Sequence, residues 1–227
     1  MALSHELVNA GVDPAVAERL AEFSERLLDA NKRVNLSGAR NDEEMLGHLL
    51  DSLTLVPYVR GPLVDVGSGG GLPAIPIALA MGVEITLIES VGKKCAFLEE
   101  TVRNLGLSGI VLSKRAEDVG RDPAFRAVFA CGTARAVASA TTVLELVLPL
   151  LASGGQAVLQ RGAPEPGERE AVMDAGPMLG GGPADVVDLG RGKRLVIVSK
   201  VSVTPDRFPR RAGVPEKRPL CMYAGSR

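Results

Sequence analysis

Val64-Asp65-Val66-Gly67-Ser68-Gly69-Gly70-Gly71-Leu72-Pro73 is the stretch on which the reading of this chain turns. Leu63–Val66 is a short apolar run of the kind that forms a buried strand, and glycines follow it at once. An apolar segment then continues to Met81 with the length of a helix. In a parallel sheet, a strand–loop–helix unit puts its loop at the carboxyl edge, where ligands of such folds bind. Gly67, Gly69 and Gly71 carry no side chains, so the backbone there can take positive φ and approach a ligand closely. The spacing separates ligand classes. A dinucleotide loop needs G-x-G-x-x-G, and its third glycine would fall on Leu72; a phosphate loop needs Gly-Lys-Ser/Thr, which is absent. The pattern present is Asp-x-Gly-x-Gly-x-Gly, led by Asp65. Glu89 ends the next strand, Glu84–Glu89, 22 residues after Gly67. A carboxylate there can accept hydrogen bonds from both hydroxyls of a ribose. The pattern predicts a nucleoside ligand that needs no pyrophosphate site, namely S-adenosylmethionine, and therefore a methyltransferase. Asp65, Gly67, Ser68, Gly69, Gly71, Leu72 and Glu89 are its candidate cofactor residues.

Outward from this loop, strands and helices alternate. Lys93–Leu105 reads as a helix, Ile110–Leu112 and Ala127–Ala130 as strands, and Ala136–Leu151 as a long apolar helix. Gln156–Gln160 reads as a fifth strand, Glu168–Asp174 as a short helix, and Ala184–Asp188 and Leu195–Lys200 as two closing strands. With no clear helix between them, the closing pair suits an antiparallel hairpin at one end of the sheet. The fold class is α/β: a Rossmann-like, mostly parallel sheet with helices on both faces. Upstream, residues 4–60 read as helical. Asp13-Pro14 caps a helix in which Val16, Leu20, Phe23, Leu27 and Leu28 recur at helical spacing. Asn41 and the acidic residues after it open another, with Met45, Leu46, Leu49, Leu50 and Leu53 on its apolar face. The expected organisation is an N-terminal helical extension (1–60), a methyltransferase domain (61–203) and a basic, Pro-rich tail (204–227).

Composition narrows the function classes. The 227 residues are 46% hydrophobic, 23% charged and 3% aromatic, with no Trp, so the core is aliphatic. A net charge of −1 leaves nucleic-acid contacts to local basic patches. Cys95, Cys131 and Cys221 are odd in number and widely spaced, which suits free thiols and argues against a disulfide framework or a metal site. The N-terminus lacks the basic start and apolar run of a signal peptide, and no stretch reads as a membrane span, so the chain reads as cytoplasmic. From Lys200 onward seven basic residues stand against two acidic ones, and Pro205, Pro209, Pro215 and Pro219 favour an extended, non-helical chain.

Blocks across nearly the whole chain resemble the RsmG family (formerly glucose-inhibited division protein B), bacterial 16S rRNA guanine-N7 methyltransferases with a class I fold. They are Asn31-Lys-Arg-Val-Asn-Leu-Ser37, Glu44–Leu53, Asp65–Pro73, Glu89–Leu98, Arg115-Ala-Glu117, Thr133-Ala-Arg-Ala136 and Phe208–Leu220. The sequence departs from the family pattern in three places: Ala74 where a Gly is usual, Arg161 where a Lys is common, and Lys193-Arg194 in place of an Arg-His pair. By position, the resemblance implies that Gly67 and Leu72 contact the cofactor and that Glu89 and Ser90 bind its ribose. It likewise implies that Ala116 and Glu117 flank the adenine, and that Arg135 lies near the site of methyl transfer as the candidate catalytic residue. It also implies 16S rRNA or the 30S subunit as partner; the chain is expected to act as a monomer.

Guanine N7 already presents a lone pair, so such a reaction needs alignment more than a general base. Positive charge grows on the guanine, so Arg135 suits phosphate or cofactor positioning rather than the chemical step. Candidate RNA contacts are Lys32, Arg33, Asn35, Arg40, His48, Arg161, Lys193, Arg194, Arg207, Arg210, Arg211, Lys217 and Arg218. Blander readings stand beside these: Asn35 as a turn residue, His48 as a packed helix residue with Asp51 as its partner, and the tail as a solvated segment. The alternative function is a small-molecule methyltransferase. A nucleoside-sensing protein without turnover and a nicotinamide oxidoreductase are further alternatives, the latter disfavoured by Leu72.

Overall fold

The computed structural model describes residues 2–222; Arg227, the last basic residue of the tail, lies outside the described residues. Three helices lead: α1 (Ala2–Asn9), α2 (Pro14–Asn31) and α3 (Asp42–Leu53). Asp13 caps α2 by accepting from the N–H groups of Ala15 and Val16, with Pro14 at the first helical position. Asn41 caps α3 through the N–H of Glu44, and the Glu44 carboxylate returns to accept from the N–H of Arg40.

The sheet follows as β1 (Leu63–Val66), β2 (Ile85–Glu89), β3 (Gly109–Ser113), β4 (Phe129–Arg135), β5 (Leu151–Arg161), β6 (Gly181–Gly190) and β7 (Lys193–Lys200). Between and after these strands come α4 (Ala74–Met81), α5 (Gly92–Asn104), α6 (Ala116–Val119), α7 (Ala140–Val147), α8 (Glu168–Met178) and α9 (Val214–Lys217). The strand order is β3-β2-β1-β4-β5-β7-β6. The first five strands run parallel, while β7 is antiparallel to both β5 and β6. The closing pair is thus the expected hairpin. The order reverses between β1 and β4, so a crevice opens beyond their carboxyl ends, at the glycine loop.

Both faces of the sheet are covered, and strand alternation sorts the core. Leu63, Ile85 and Leu87 pack under α1–α5 together with Leu7, Leu20 and Phe23, so the leading helices share one core with the sheet. Val64, Val66 and Ile88 face the other way, onto Val143, Leu144 and Val147 of α7. Phe208 of the tail joins this second cluster.

Three expectations change. The fourth strand begins at Phe129 rather than Ala127, which has φ +57°, and it continues to Arg135. The long helix from Ala136 shrinks to Ala140–Val147: Ala136 is at φ +54°, and Ser139 caps α7 by accepting from the Thr142 N–H. A one-turn helix, α9, stands in the tail, which is docked rather than freely extended.

Candidate functional site

The glycine loop is tied to the end of β2. The N–H groups of Gly67 and Ser68 both donate to the Ile88 carbonyl, at 2.9 and 3.1 Å. Gly69 N–H donates to Glu89 Oε2 at 3.0 Å, while the N–H groups of Ser90 and Val91 donate to Oε1 at 2.7 and 2.9 Å. Three backbone donors therefore hold a carboxylate that is only 7% exposed, and they use three of its roughly four acceptor positions. Gly67, Gly69 and Gly71 all have positive φ, at +71°, +54° and +87°. A Cβ on Gly67 would stand 2.7 Å from Val137 Cγ2, and one on Gly71 2.3 Å from Ile75 Cδ1. Only glycine combines this backbone with these close approaches.

Two cavities meet at Gly67. One, of about 200 Å³, is bounded by Glu89 and Ser90 at the end of β2, by Arg115, Ala116 and Glu117 after β3, and by Val137 and Ala138. Pro215 and Glu216 of the tail close its far side. The other, of about 620 Å³, is bounded by Ser68, Gly69 and Leu72 of the loop and by Arg135 and Gln160. His48 and Asp51 from α3, Leu36–Gly38 from the loop before it, Lys94, Arg161 and Lys193 complete its rim. The expected cofactor residues are thus divided between two adjoining cavities, with Gly67 common to both. Asp65 and Gly71 bound neither.

Asp65 is buried at the switch point, where Thr133 Oγ1 of β4 donates to its Oδ1 at 2.7 Å. Its Oδ2 has no hydrogen-bond partner among the described residues. Burial pushes the carboxyl up from 3.8 to about 7, against the pull of the Thr133 hydrogen bond and of the Arg135 charge. Arg135 ends β4 with its guanidinium free of any hydrogen bond or ion pair within the described residues; burial lowers its pKa, and the charges of Asp51 and Asp65 oppose that. Burial, and next the positive charge of Arg135, lower the pKa of His48, which favours the uncharged imidazole.

The candidate RNA contacts divide sharply. His48, Arg161 and Lys193 stand on the large cavity, where Lys193 pairs with Asp51. Arg161 is steadied by the Ala138 carbonyl and by Glu168. Lys32, Arg33, Asn35 and Arg40 are exposed before α3, and Lys32 and Arg33 both pair with Asp29. Arg207, Arg211, Lys217 and Arg218 are exposed on the tail. Arg194 and Arg210 are ion-paired within the body and stand on neither of these two cavities. Arg194 pairs with buried Glu168, and Arg210 makes a bidentate bond to Glu145, which is 0% exposed. Charge patterning alone could not reveal carboxylates contributed by distant helices.

Three contributors escaped the sequence reading. Asn31 shapes the loop before α3: its Nδ2 donates to the carbonyls of Ser37 and Ala39, and its Oδ1 accepts from the N–H groups of Leu36 and Ser37. It, rather than exposed Asn35, sets the rim residues in place; Asn at a helix end preceding a loop was the available signal. Lys94 lies in the first turn after Glu89, a spacing that marked it as near the ligand edge. Pro215 shows in the sequence only as one of the tail prolines, with nothing to place it at a ligand site.

A family model described as rRNA small subunit methyltransferase G matches residues 16–197. The chain belongs to this family. A relative named Ribosomal RNA small subunit methyltransferase G, from Desulfitobacterium hafniense, is 35% identical, covering 96% of this chain and 95% of the relative. One of the same name from Rubrobacter xylanophilus is 40% identical over 86% of this chain and 80% of its own. Among solved structures, a SAM dependent methyltransferase from Aquifex aeolicus is similar at TM-score 0.56 and 16% identity, covering 77% of this chain and 98% of that one. A putative S-adenosyl-L-methionine-dependent methyltransferase from Methanococcus maripaludis is similar at TM-score 0.51 and 15% identity, over 68% and 85%. These likenesses show the class I methyltransferase fold. Family membership and fold agree with the site: the glycine cradle and the held Glu89 carboxylate fit S-adenosylmethionine as the cofactor.

Proposed function

We propose that this protein transfers a methyl group from S-adenosylmethionine to N7 of one guanine in 16S rRNA, acting as a cytoplasmic monomer on rRNA or on the 30S subunit. The observation that carries the reading is the pair of unlike cavities joined at Gly67 in a chain whose relatives bear the name Ribosomal RNA small subunit methyltransferase G. The smaller cavity holds Glu89 for the ribose; the larger is rimmed by Arg135, Arg161, Lys193 and Lys94, charges suited to a polyanion.

The bound cofactor supplies an activated methyl group on a sulfonium. The chain's own residues supply position. Glu89, held by three backbone donors, orients the ribose. The glycine loop lets the backbone approach the ligand, and Arg135 and Lys193 hold phosphate at the mouth of the larger cavity. A neutral His48 adds no cation beside a base that is becoming positive. Guanine N7 needs no deprotonation, so alignment accounts for the rate, an effect of roughly 7–11 kcal/mol when geometry is favourable. The target guanine must be unpaired or extruded to reach the sheet edge.

Mass mapping of nucleosides in small-subunit rRNA, from cells with and without the gene, tests the reading. Loss of one 7-methylguanosine is expected. An unchanged rRNA, with labelled methyl appearing only in small molecules, would overturn it.

A further inference from the structure

The family match ends at residue 197, yet the chain beyond it is bound tightly to the body. Arg126, in the turn before β4, donates to four carbonyls: Gly120 and Phe208 from Nη1 at 2.8 Å each, and Thr204 and Pro205 from Nη2 at 2.8 and 3.4 Å. Phe208 is buried in the core cluster under α7, and Pro209 packs so closely that a Cβ on Gly120 would meet its Cγ at 2.9 Å. Arg210 pairs with fully buried Glu145. The Gly213 N–H donates to Glu117 Oε1 at 2.7 Å, and Thr142 Oγ1 donates to the Pro215 carbonyl at 3.0 Å. These anchors converge on the smaller cavity. Glu117 and Thr142 bound it from the body, and Pro215 and Glu216 from the tail.

We propose that residues 208–216 form a wall of the adenosine site, so that the C-terminal tail is part of cofactor binding rather than only an RNA-binding arm. This rests on the proposed placement of S-adenosylmethionine in that cavity. Pro215 faces a space bounded also by Ile88 and Leu146, apolar surfaces that suit the face of a purine. Glu117, which bounds that space, is buried and is also bonded to Gly213, so a ligand there and the tail share one carboxylate.

The test measures S-adenosylmethionine binding by calorimetry on the full chain, on a chain ending at Val203, and on Arg126→Met. Arg126 borders neither cavity, and three of its four carbonyl acceptors, Thr204, Pro205 and Phe208, belong to the tail while the fourth, Gly120, ends α6, so a loss of affinity in that variant reports the tail's position when tryptic cleavage of the tail rises with it. Melting curves without ligand show that each variant is folded. Truncation is expected to raise Kd at least about tenfold and Arg126→Met about threefold to tenfold, while Arg218→Ala leaves it unchanged. Saturating S-adenosylmethionine is also expected to slow tryptic cleavage of the full chain after the exposed residues Arg211 and Lys217. If truncation does not fold, Arg126→Met and the cleavage rates decide the matter. Wild-type Kd in the folded variants, with cleavage indifferent to ligand, would overturn the wall while leaving the methyltransferase reading intact. A full chain that binds no S-adenosylmethionine would overturn both.

Discussion

The two cavities on either side of Gly67 share a loop and differ in nearly everything else. The smaller is carboxylate-rich and partly apolar, built from strand ends, the start of α6 and the docked tail. The larger is basic, built from the end of β4, the edge of β5 and β7, and the helices and loop that precede the sheet. A nucleoside suits the first, where Glu89 keeps about one acceptor position open to a ribose hydroxyl; a polyanion suits the second. One backbone segment can serve both because it presents glycine to each, and side-chain charge comes from elements on opposite sides of the switch point.

The hardest way to break this division is to fill the shared position. Gly67→Val places a branched side chain at φ +71° against Val137, and equilibrium binding of S-adenosylmethionine is expected to fall roughly 100-fold. Gly69→Val, whose Cβ would meet only carbonyl oxygens at 3.8 Å, should lose clearly less. Glu89→Ala removes the acceptor of three N–H groups, and cofactor affinity should drop roughly 10- to 100-fold while the affinity for rRNA changes little. Equal losses in both would break the comparison. Arg135→Met should do the converse: the slope of log affinity for rRNA against log salt falls by about one, and cofactor affinity holds.

The smallest effect lies in stability. Unfolded, the Asp65 carboxyl ionises near 3.8; buried in the fold it ionises at about 7. Between those pH values the unfolded chain binds fewer protons, so this group makes stability fall as pH rises, and above pH 7 its penalty stays constant. Asp65→Asn should flatten that dependence, by at most about 1.4 kcal/mol per pH unit, in melting curves recorded from pH 4 to 8. An unchanged slope would place the proton elsewhere.

How much was legible in the sequence follows the range of the interactions. The loop, Glu89 and the closing hairpin are local patterns: glycine spacing, a strand end and two adjacent β-runs, each decided by backbone sterics within a few residues. The caps at Asp13 and Asn41 are local in the same way. The β4 boundary and the start of α7 differ from the sequence pattern because an apolar run around Ala136 fits a helix by composition, whereas the chain there bends through positive φ at Ala136 and packs Val137 against Gly67. The basic residues were the least legible. Lys193, Arg194 and Arg210 look alike in sequence; Lys193 stands on the larger cavity beside Asp51, whereas Arg194 and Arg210 pair with the buried carboxylates of Glu168 and Glu145 away from it.

By itself, then, the sequence determined an α/β sheet with an adenosine-type loop at its carboxyl edge, because periodicity and glycine placement act within one strand–loop–helix unit. Only the tertiary structure decided which charges face the ligand space and that the tail returns to close it. Those outcomes depend on pairs such as Glu145–Arg210 and Glu117–Gly213, separated by 65 and 96 residues. Their meeting is settled by how helices pack on the sheet, which no local pattern encodes.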